Sequence, residues 1–181
     1  GVPVAVNIDN GIGAMALAQL AGATADEIRQ AMLSFGGVDR RFDFHVKRDD
    51  MVYISDYAHH PEEIRQSILS IKQLYNGKRI KAIFQPHLYS RTNDFYHEFA
   101  DALSLLDDIV LLDIYPAREE PIPGVTSHLI YDNLRSGISK QMIHKEDIIE
   151  CIKAKDFDVL VTLGAGDIEN YATEIAKVLN S

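Results

Sequence analysis

Short apolar segments that alternate with amphipathic ones constrain the fold of this 181-residue chain more than any other feature. The runs 79–85 (RIKAIFQ), 108–114 (DIVLLDI) and 158–164 (DVLVTLG) have the length and composition of strands that are buried on both faces of a sheet. Helices are predicted before the first of these runs at 61–75, between the first two at 92–105, and after the last at 167–179. Strands joined by crossover helices predict an α/β fold with a mostly parallel, Rossmann-like sheet flanked by helices.

The first forty residues follow a different pattern. Residues 10–21 are small and apolar with helical spacing, and a second helix is predicted from Thr24 to Leu33, where Thr24 and Glu27 have the spacing of a capping box. The first of these helices has no obvious partner in the sequence, and the turn-rich segment SFGGVDRR follows the second. We therefore place a domain boundary near residues 36–41. Beyond it, 42–47 and 51–55 read as a β-hairpin.

Composition excludes several classes of protein. The formal net charge of −9 argues against a nucleic-acid-binding protein, which would need a basic surface. No apolar run reaches the ~18 residues of a membrane span. Cys151 is the only cysteine, which fits a reducing, cytoplasmic setting. The chain begins without Met and without a basic signal region, so we expect it to be a piece of a longer protein.

Polar residues gather where four of the predicted strands end, and no fold requires them there. They form the segments 56–61 (DYAHHP), 86–92 (PHLYSRT), 115–121 (YPAREEP) and 164–167 (GAGD). Ligands of open parallel sheets bind outside the carboxyl ends of the strands. The agreement of four segments predicts a binding site at this edge of the sheet.

Each of these segments also has a plainer interpretation. His59 and His60 could cap a helix, or could form a zinc site with His87 and Asp56. The Gly-Ala-Gly of 164–166 could be a tight turn, because GxG without a third glycine is a weak dinucleotide signal.

Charged residues near these segments leave similar alternatives open. Arg91 stands at the start of a predicted helix, the wrong end for a cation, which points to an anionic partner. We expect Glu119 and Glu120 to face solvent, and Arg40 with Arg41 could be an exposed pair. The sequence contains no GxxxxGK[ST] motif, so it holds no Walker-type P-loop.

Several of these segments together resemble the Mur ligase family, in particular its L-alanine-adding branch. DYAHHP at 56–61 is followed by FQPHLYSRT at 84–92, then by Tyr-Pro-Ala with Glu-Pro-Ile in 115–122 and by GAGDI at 164–168. GVDRRF at 37–42 resembles the family's junction between its central and C-terminal domains. The similarity covers nearly the whole chain.

The resemblance implies an ATP-dependent ligase of peptidoglycan and cell wall synthesis. Such a ligase joins L-alanine to UDP-N-acetylmuramate through an acyl phosphate. Residues 1–38 would then be the end of the central domain, and 39–181 would be the C-terminal domain. The P-loop and most ligands of Mg²⁺ would lie in the missing part of the central domain, so we expect the fragment alone to be inactive.

The resemblance also assigns roles to residues of this chain. The catalytic set is Arg41, Asp56, His60 and His87, the substrate-binding set is His87, Arg91, Tyr57 and His59, the nucleotide-binding set is Asn7, Asn10, Arg41 and Asp56, and no metal ligand is assigned. The partners implied are UDP-N-acetylmuramate, L-alanine and ATP, without nucleic acid or membrane.

Two positions depart from the family pattern. Val6 stands where the family usually has His, and Leu88 stands where many members have Arg. If that Arg normally pairs with Arg91 on the alanine carboxylate, another cation such as Arg118 has to substitute, or the amino-acid site differs. Two alternatives follow: another Mur-type amide ligase, of the murein-peptide or folylpolyglutamate kind, or a non-catalytic α/β binding domain.

Overall fold

A computed structural model describes residues 5–36 and 40–181 of the chain. Within it the chain divides into two compact units, residues 1–39 and residues 40–181. The predicted boundary near 36–41 overlaps residues 37–39, which lie outside the described residues. The assignment of 1–38 and 39–181 to two different domains of a larger enzyme stays a prediction.

The first unit consists of two helices, α1 (Ala5–Leu20) and α2 (Ala25–Ser34). The predicted capping box starts α2: the amide of Glu27 donates to Thr24 Oγ1 at 3.3 Å, and the amide of Thr24 donates to Glu27 Oε2 at 2.8 Å. Large apolar side chains of this unit are exposed, with Leu20 at 85% and Leu33 at 75%. Within the described residues, α2 buries none of its side chains, so its stability does not come from a core of its own.

The second unit is a six-stranded sheet covered by helices, which confirms the predicted fold class. Its elements are β1 (Asp43–Lys47), β2 (Val52–Asp56), α3 (Pro61–Leu74), β3 (Ile80–Phe84), α4 (Tyr89–Leu103), β4 (Asp108–Leu111), α5 (His128–Asn133), β5 (Ser139–Met142), α6 (Ile148–Ile152), β6 (Val159–Leu163) and α7 (Ala172–Asn180). Short 3-10 turns, Lys145–Asp147 and Asp167–Tyr171, lead into α6 and α7.

The order of the strands brings the polar segments together. The sheet runs β1-β2-β6-β3-β4-β5, with β1 antiparallel to β2 and every other pair parallel. The strands β2, β6, β3 and β4 are therefore neighbours, and their carboxyl ends form one continuous edge, here called the carboxyl edge. The opposite ends form the amino edge. All four polar segments predicted from the sequence leave the sheet at the carboxyl edge.

Both faces of the sheet are buried, as the apolar runs predict. On one face Tyr53, Ile83 and Leu160 pack in a cluster with residues of α6 and α7, such as Ile175. On the other face the Phe84 ring of β3 lies 5.4 Å from the Phe99 ring of α4. Alternate residues of each strand thus serve opposite helix layers, which fixes the register of the parallel strands.

Element ends differ from prediction where tertiary contacts decide them. The predicted helix from Thr92 begins at Tyr89 instead, and the predicted strand 108–114 ends at Leu111. The predicted helix from Asp167 opens with a 3-10 turn before α7. Among the described residues, no helix is both long and apolar enough to cross a bilayer.

Candidate functional site

Asp56 ends β2 and organises the loop that follows it. Its Oδ2 accepts a hydrogen bond from Ser67 Oγ at 2.7 Å, and its Oδ1 accepts one from the amide of Ala58 at 3.1 Å. Burial raises the pKa of the Asp56 carboxyl, although these hydrogen bonds oppose the shift. Since both oxygens already serve the fold, Asp56 holds the loop 57–60 in shape.

Two arginines flank the Tyr57 ring. The Cζ atoms of Arg40 and Arg41 lie 4.6 and 5.6 Å from the ring centroid, and the Tyr57 amide donates to the carbonyl of Arg40 at 2.7 Å. Arg41 also lies 3.5 Å from Glu63 and keeps 44% of its side chain exposed. Its guanidinium is held beside the edge of the sheet but remains open to a ligand. Arg40 is exposed only in part: 39% of its side chain is accessible, but its Nε is buried without a hydrogen-bond partner among the described residues and lies 3.9 Å from Glu169.

Glu63 fixes the two histidines that precede α3. Its Oε2 accepts from the amides of His59 and His60 at 3.1 and 3.2 Å, so the predicted helix cap comes from this carboxylate. His59 Nδ1 lies 2.9 Å from the carbonyl of Tyr57, an acceptor, so Nδ1 carries the proton of that bond. In the neutral His59 ring, Nε2 is therefore left as the acceptor nitrogen.

The two histidines then diverge. The His59 ring lies 5.9 Å from the His87 ring, whereas the His60 ring packs 5.1 Å from Phe95 of α4. Among the residues that the structure describes, no three His, Cys, Asp or Glu side chains form a group that could hold a metal ion. The zinc interpretation of the histidines and Asp56 is thus not supported.

His87 is the centre of the carboxyl edge. Its ring stacks on that of Tyr115, with the ring centroids 5.7 Å apart, and contacts the His59 ring. Its Nδ1 lies 3.3 Å from Arg91 Nη1, within hydrogen-bond distance. A guanidinium only donates, so Nδ1 is the acceptor and the proton of the neutral ring is on Nε2. Burial, together with the charge of Arg91, lowers the pKa of His87, which keeps the ring neutral near pH 7.

Arg91 lies in the first turn of α4 beside His87. Across residues 5–36 and 40–181, no carboxylate lies within ion-pair distance of its guanidinium, which hydrogen-bonds to the neutral His87 side chain. A cation held at the positive end of a helix without a paired carboxylate favours an anionic ligand at this point. The geometry thus agrees with the sequence-based interpretation of Arg91.

Glu119 corrects one expectation from the sequence. It does not simply face solvent: its carboxylate accepts from the amide of Ser90 at 3.0 Å and from Ser90 Oγ at 2.5 Å. Ser90 lies 29 positions away, and no local spacing rule links two such residues. Glu120 is exposed, as expected.

The Gly-Ala-Gly turn after β6 is explained by packing. A Cβ on Gly164, where φ is +137°, would lie 2.6 Å from the carbonyl oxygen of Gln85, and a Cβ on Gly166 would lie 2.2 Å from Gln85 Oε1. The Gln85 side chain in turn binds Asp167, which also pairs with Lys145. Gly164 leaves room for the Gln85 backbone and Gly166 for the Gln85 side chain, so the tight-turn interpretation accounts for both.

Asn7 and Asn10, the predicted nucleotide contacts, belong to α1 of the first unit. Asn10 is exposed, and the side chain of Asn7 lies outside the described residues. Their role stays a prediction. By contrast, the predicted residues Tyr57, His59, His87 and Arg91 lie at one edge of one sheet.

Known proteins resemble the chain along its whole length. The family model described as Mur ligase, glutamate ligase domain, matches residues 40–166. A UDP-N-acetylmuramate–L-alanine ligase of Phocaeicola vulgatus is 63% identical over 180 residues, which are 99% of this chain and 39% of that protein. The ligase of the same name from Porphyromonas gingivalis is 47% identical over 182 residues, covering 100% of this chain and 40% of the relative.

Solved structures extend the likeness. The crystal structure of a UDP-N-acetylmuramate–alanine ligase from Thermotoga maritima matches with a TM-score of 0.78 and 28% identity, over 97% of this chain and 38% of that one. A murein peptide ligase from Psychrobacter arcticus matches with a TM-score of 0.70 and 23% identity over 97% of this chain and 37% of that one, which shows a shared fold. The chain spans about 40% of the length of the curated relatives it matches.

Proposed function

The chain belongs to the Mur ligase family, and we propose that it is the amino-acid-binding part of an ATP-dependent ligase that joins L-alanine to UDP-N-acetylmuramate. The observation that carries the proposal is Arg91, a cation beside neutral His87 at the carboxyl edge, in a chain 63% identical to a ligase of that name. The carboxylate of a free amino acid is the anion that such a ligase has to bind.

The proposed reaction has two steps. ATP first transfers its terminal phosphoryl group to the carboxylate of the UDP-sugar, which gives an acyl phosphate and ADP. The amine of L-alanine then attacks the acyl carbon, the C–O bond to phosphate breaks, and the amine loses a proton, which leaves an amide and inorganic phosphate. The described residues contribute to the second step by holding the amine donor.

Each residue of the carboxyl edge has a part in this scheme. Arg91 binds the alanine carboxylate, and His87, fixed by Arg91, orients it. Tyr57 and His59 line the adjoining surface, while the open guanidinium of Arg41 reaches toward ATP phosphates. Holding a nucleophile at attacking distance lowers such barriers by ~7–11 kcal/mol. This is catalysis by positioning.

Nucleotide and metal binding are shared with the rest of the proposed enzyme. Asn7 and Asn10 of α1 are the proposed contacts of the adenosine, Asp56 shapes the loop beside Arg41, and His60 closes that loop against Phe95. Among the described residues no three His, Cys, Asp or Glu side chains form a group that could hold a metal ion. Because Mg²⁺ binds through one or two carboxylates and the phosphates of ATP, its ligands are proposed to lie mainly in the part of the enzyme that carries the P-loop. The free thiol of Cys151 supports a cytoplasmic setting.

The experiment uses the full-length protein that carries this chain. Phosphate release from ATP is followed with UDP-N-acetylmuramate and a panel of amino acids and short peptides, for the wild type, Arg91→Ala and Arg118→Ala. Arg65→Ala, a partly exposed α3 cation that pairs with Glu62 at 3.8 Å, is the control. We expect turnover that requires L-alanine and collapses in Arg91→Ala but not in Arg65→Ala. Loss in Arg118→Ala as well would identify the cation that offsets Leu88.

Other outcomes decide between the alternatives. Turnover with a peptide or with glutamate instead of L-alanine would place the protein with the murein-peptide or folylpolyglutamate ligases. No turnover with any amine would favour a non-catalytic binding domain. Either result would contradict the proposed substrate.

A further inference from the structure

Glu119 reaches from one strand exit to the helix of another. It lies in the loop after β4, and its carboxylate binds both the amide and the hydroxyl of Ser90 in the first turn of α4. Ser90 is the immediate neighbour of Arg91. Glu119 therefore acts on the turn that carries the proposed partner of the amino-acid carboxylate.

The start of α4 needs an acceptor that its own sequence does not supply. The first amides of a helix lack partners within the helix, and a Ser, Thr, Asp or Asn at the N-cap usually accepts from one of them. The N-cap of α4 is Leu88, with φ 74° and ψ 136°, and its side chain cannot accept a hydrogen bond. Glu119 supplies the missing acceptor, and its negative charge suits the positive end of the helix.

The loop that carries Glu119 also contacts His87 and Leu88, just before α4. Tyr115, at the start of the loop, stacks on the His87 ring, and its carbonyl accepts from the amide of Leu88 at 3.0 Å. The amide of Glu119 donates to the carbonyl of Pro116 at 2.9 Å, which holds Glu119 in a turn. Residues 115–119 thus contact the segment 87–90 at both ends, through Tyr115 at His87 and Leu88 and through Glu119 at Ser90.

The charge state of Glu119 is suited to this contact. Hydrogen bonds from the Ser90 hydroxyl and amide, with a smaller contribution from the Arg91 charge, lower the pKa of the Glu119 carboxyl. The group is an anion near pH 7, so both of its oxygens accept. A bidentate acceptor holds the turn in one orientation.

We propose that Glu119 is a positioning residue that sets the affinity for the amino-acid substrate by fixing the α4 turn from which Arg91 extends. The proposal rests on the proposed function, because Arg91 is the carboxylate partner only in that account. It does not place Glu119 in contact with substrate or reacting atoms.

The test compares three variants of the full-length enzyme. Glu119→Ala removes the acceptor, Glu119→Gln keeps the shape, and Glu120→Ala is the matched control, because Glu120 is the exposed neighbour. We expect Glu119→Ala to raise KM for L-alanine roughly tenfold, with kcat and KM for ATP little changed. In Glu119→Gln the side-chain oxygen can accept from the Ser90 amide, and the side-chain NH₂ can donate to Ser90 Oγ. The KM of Glu119→Gln for L-alanine should therefore lie close to the wild-type value.

A general loss of structure would look different. It would lower kcat and raise both KM values together, and that result, or a KM for L-alanine in Glu119→Ala equal to that of Glu120→Ala, would overturn the proposal. If thermal unfolding shows that Glu119→Ala is not folded, Ser90→Ala is tested in its place, because that change removes only the hydrogen bond from the Ser90 hydroxyl. A KM for L-alanine at the wild-type value in Ser90→Ala would then overturn the proposal.

Failure of the proposed function can be told apart from failure of this inference. If the wild type shows no phosphate release that depends on L-alanine, the proposed function fails and the inference falls with it. If the wild type turns over with L-alanine while Glu119→Ala behaves as Glu120→Ala, only the positioning role fails.

Discussion

The amino and carboxyl edges of the sheet each hold a cation near an end of β3, and the two cations differ in whether carboxylates pair with them. Lys81, at the amino edge, is 6% exposed and lies between two carboxylates, 3.0 Å from Asp156 and 3.2 Å from Asp108. Arg91, at the carboxyl edge, hydrogen-bonds to His87 and has, across the described ranges, no carboxylate at ion-pair distance. Lys81 thus serves the fold, whereas Arg91 is left for a ligand.

Backbone conformation differs between the edges as well. Leu88 and Ala117, both at the carboxyl edge, have φ values of 74° and 53°, in the region that glycine favours. Such conformations persist where surrounding contacts enforce them, and they cluster at functional sites. Lys155 shares the feature at the amino edge with φ 47°, so positive φ alone does not mark the site.

The largest expected effect is on stability and comes from the amino edge. Lys81→Met should lower the free energy of unfolding by about 2–3 kcal/mol, because two carboxylates lose their cation, while the half-exposed Asp156 limits the loss. Chemical denaturation measures the change, with the exposed Lys78→Met as control. If Lys81→Met instead left stability unchanged and abolished turnover, the proposed division between the edges would be wrong.

The next effect is on activity and comes from the carboxyl edge. Arg91→Ala should lower kcat/KM for L-alanine by ~10- to 100-fold, since a charge-assisted hydrogen bond is lost. Its free energy of unfolding should stay within ~0.5 kcal/mol of the wild type, because no carboxylate pair is broken. Steady-state kinetics and denaturation of the same preparations give both numbers. A large loss of stability would show that Arg91, like Lys81, serves the fold.

Asp56, at the carboxyl edge, should make the free energy of unfolding depend on pH. Its pKa is raised in the folded state, so the stability it contributes is present below its ordinary value of 3.8 and is lost as pH rises through the folded pKa. Asp56→Asn avoids that loss and should be as stable as the wild type at pH 7, or more stable by up to ~1 kcal/mol. Denaturation between pH 3 and 8 measures it, with the exposed Asp101→Asn as control. Asp56→Asn losing stability as pH rises would contradict the burial effect.

The smallest expected effect concerns backbone strain at the carboxyl edge. Ala117→Gly should raise the free energy of unfolding by about 0.5 kcal/mol, because the relief of a positive φ exceeds the added freedom of the unfolded chain. Ala154→Gly, at an exposed position with negative φ, should lower it instead. Thermal unfolding of both variants would show the opposite signs, and equal signs would argue against strain at residue 117.

Local patterns predicted most of the fold. Apolar runs and helical spacing identified β3, β6 and α3, and the Thr24–Glu27 spacing identified the start of α2, because these elements depend on nearby residues. The start of α4 was missed because its cap comes from Glu119, 29 positions beyond Ser90. The brevity of β4 was missed for a related reason: after Leu111 the chain continues through single contacts, such as Tyr115 with Pro86, rather than a regular ladder.

The candidate site was predictable in position but not in detail. His59, His87 and Arg91 could be identified because they follow predicted strands, and the carboxyl ends of parallel strands lie at one edge of the sheet. The sequence could not show that Glu63 caps both histidines, or that His60 turns toward Phe95, because these depend on side-chain directions set by the packed helices.

The central claim is that Arg91 binds the carboxylate of the amino-acid substrate. The most direct measurement is KM for L-alanine and for L-alaninamide, which lacks the charge, in the wild-type full-length enzyme and in Arg91→Ala. We predict that the wild type discriminates strongly between the two amines and that Arg91→Ala discriminates little, which is the coupling that a double-mutant cycle detects. Equal discrimination in both enzymes would show that the carboxylate is bound elsewhere and would contradict the account.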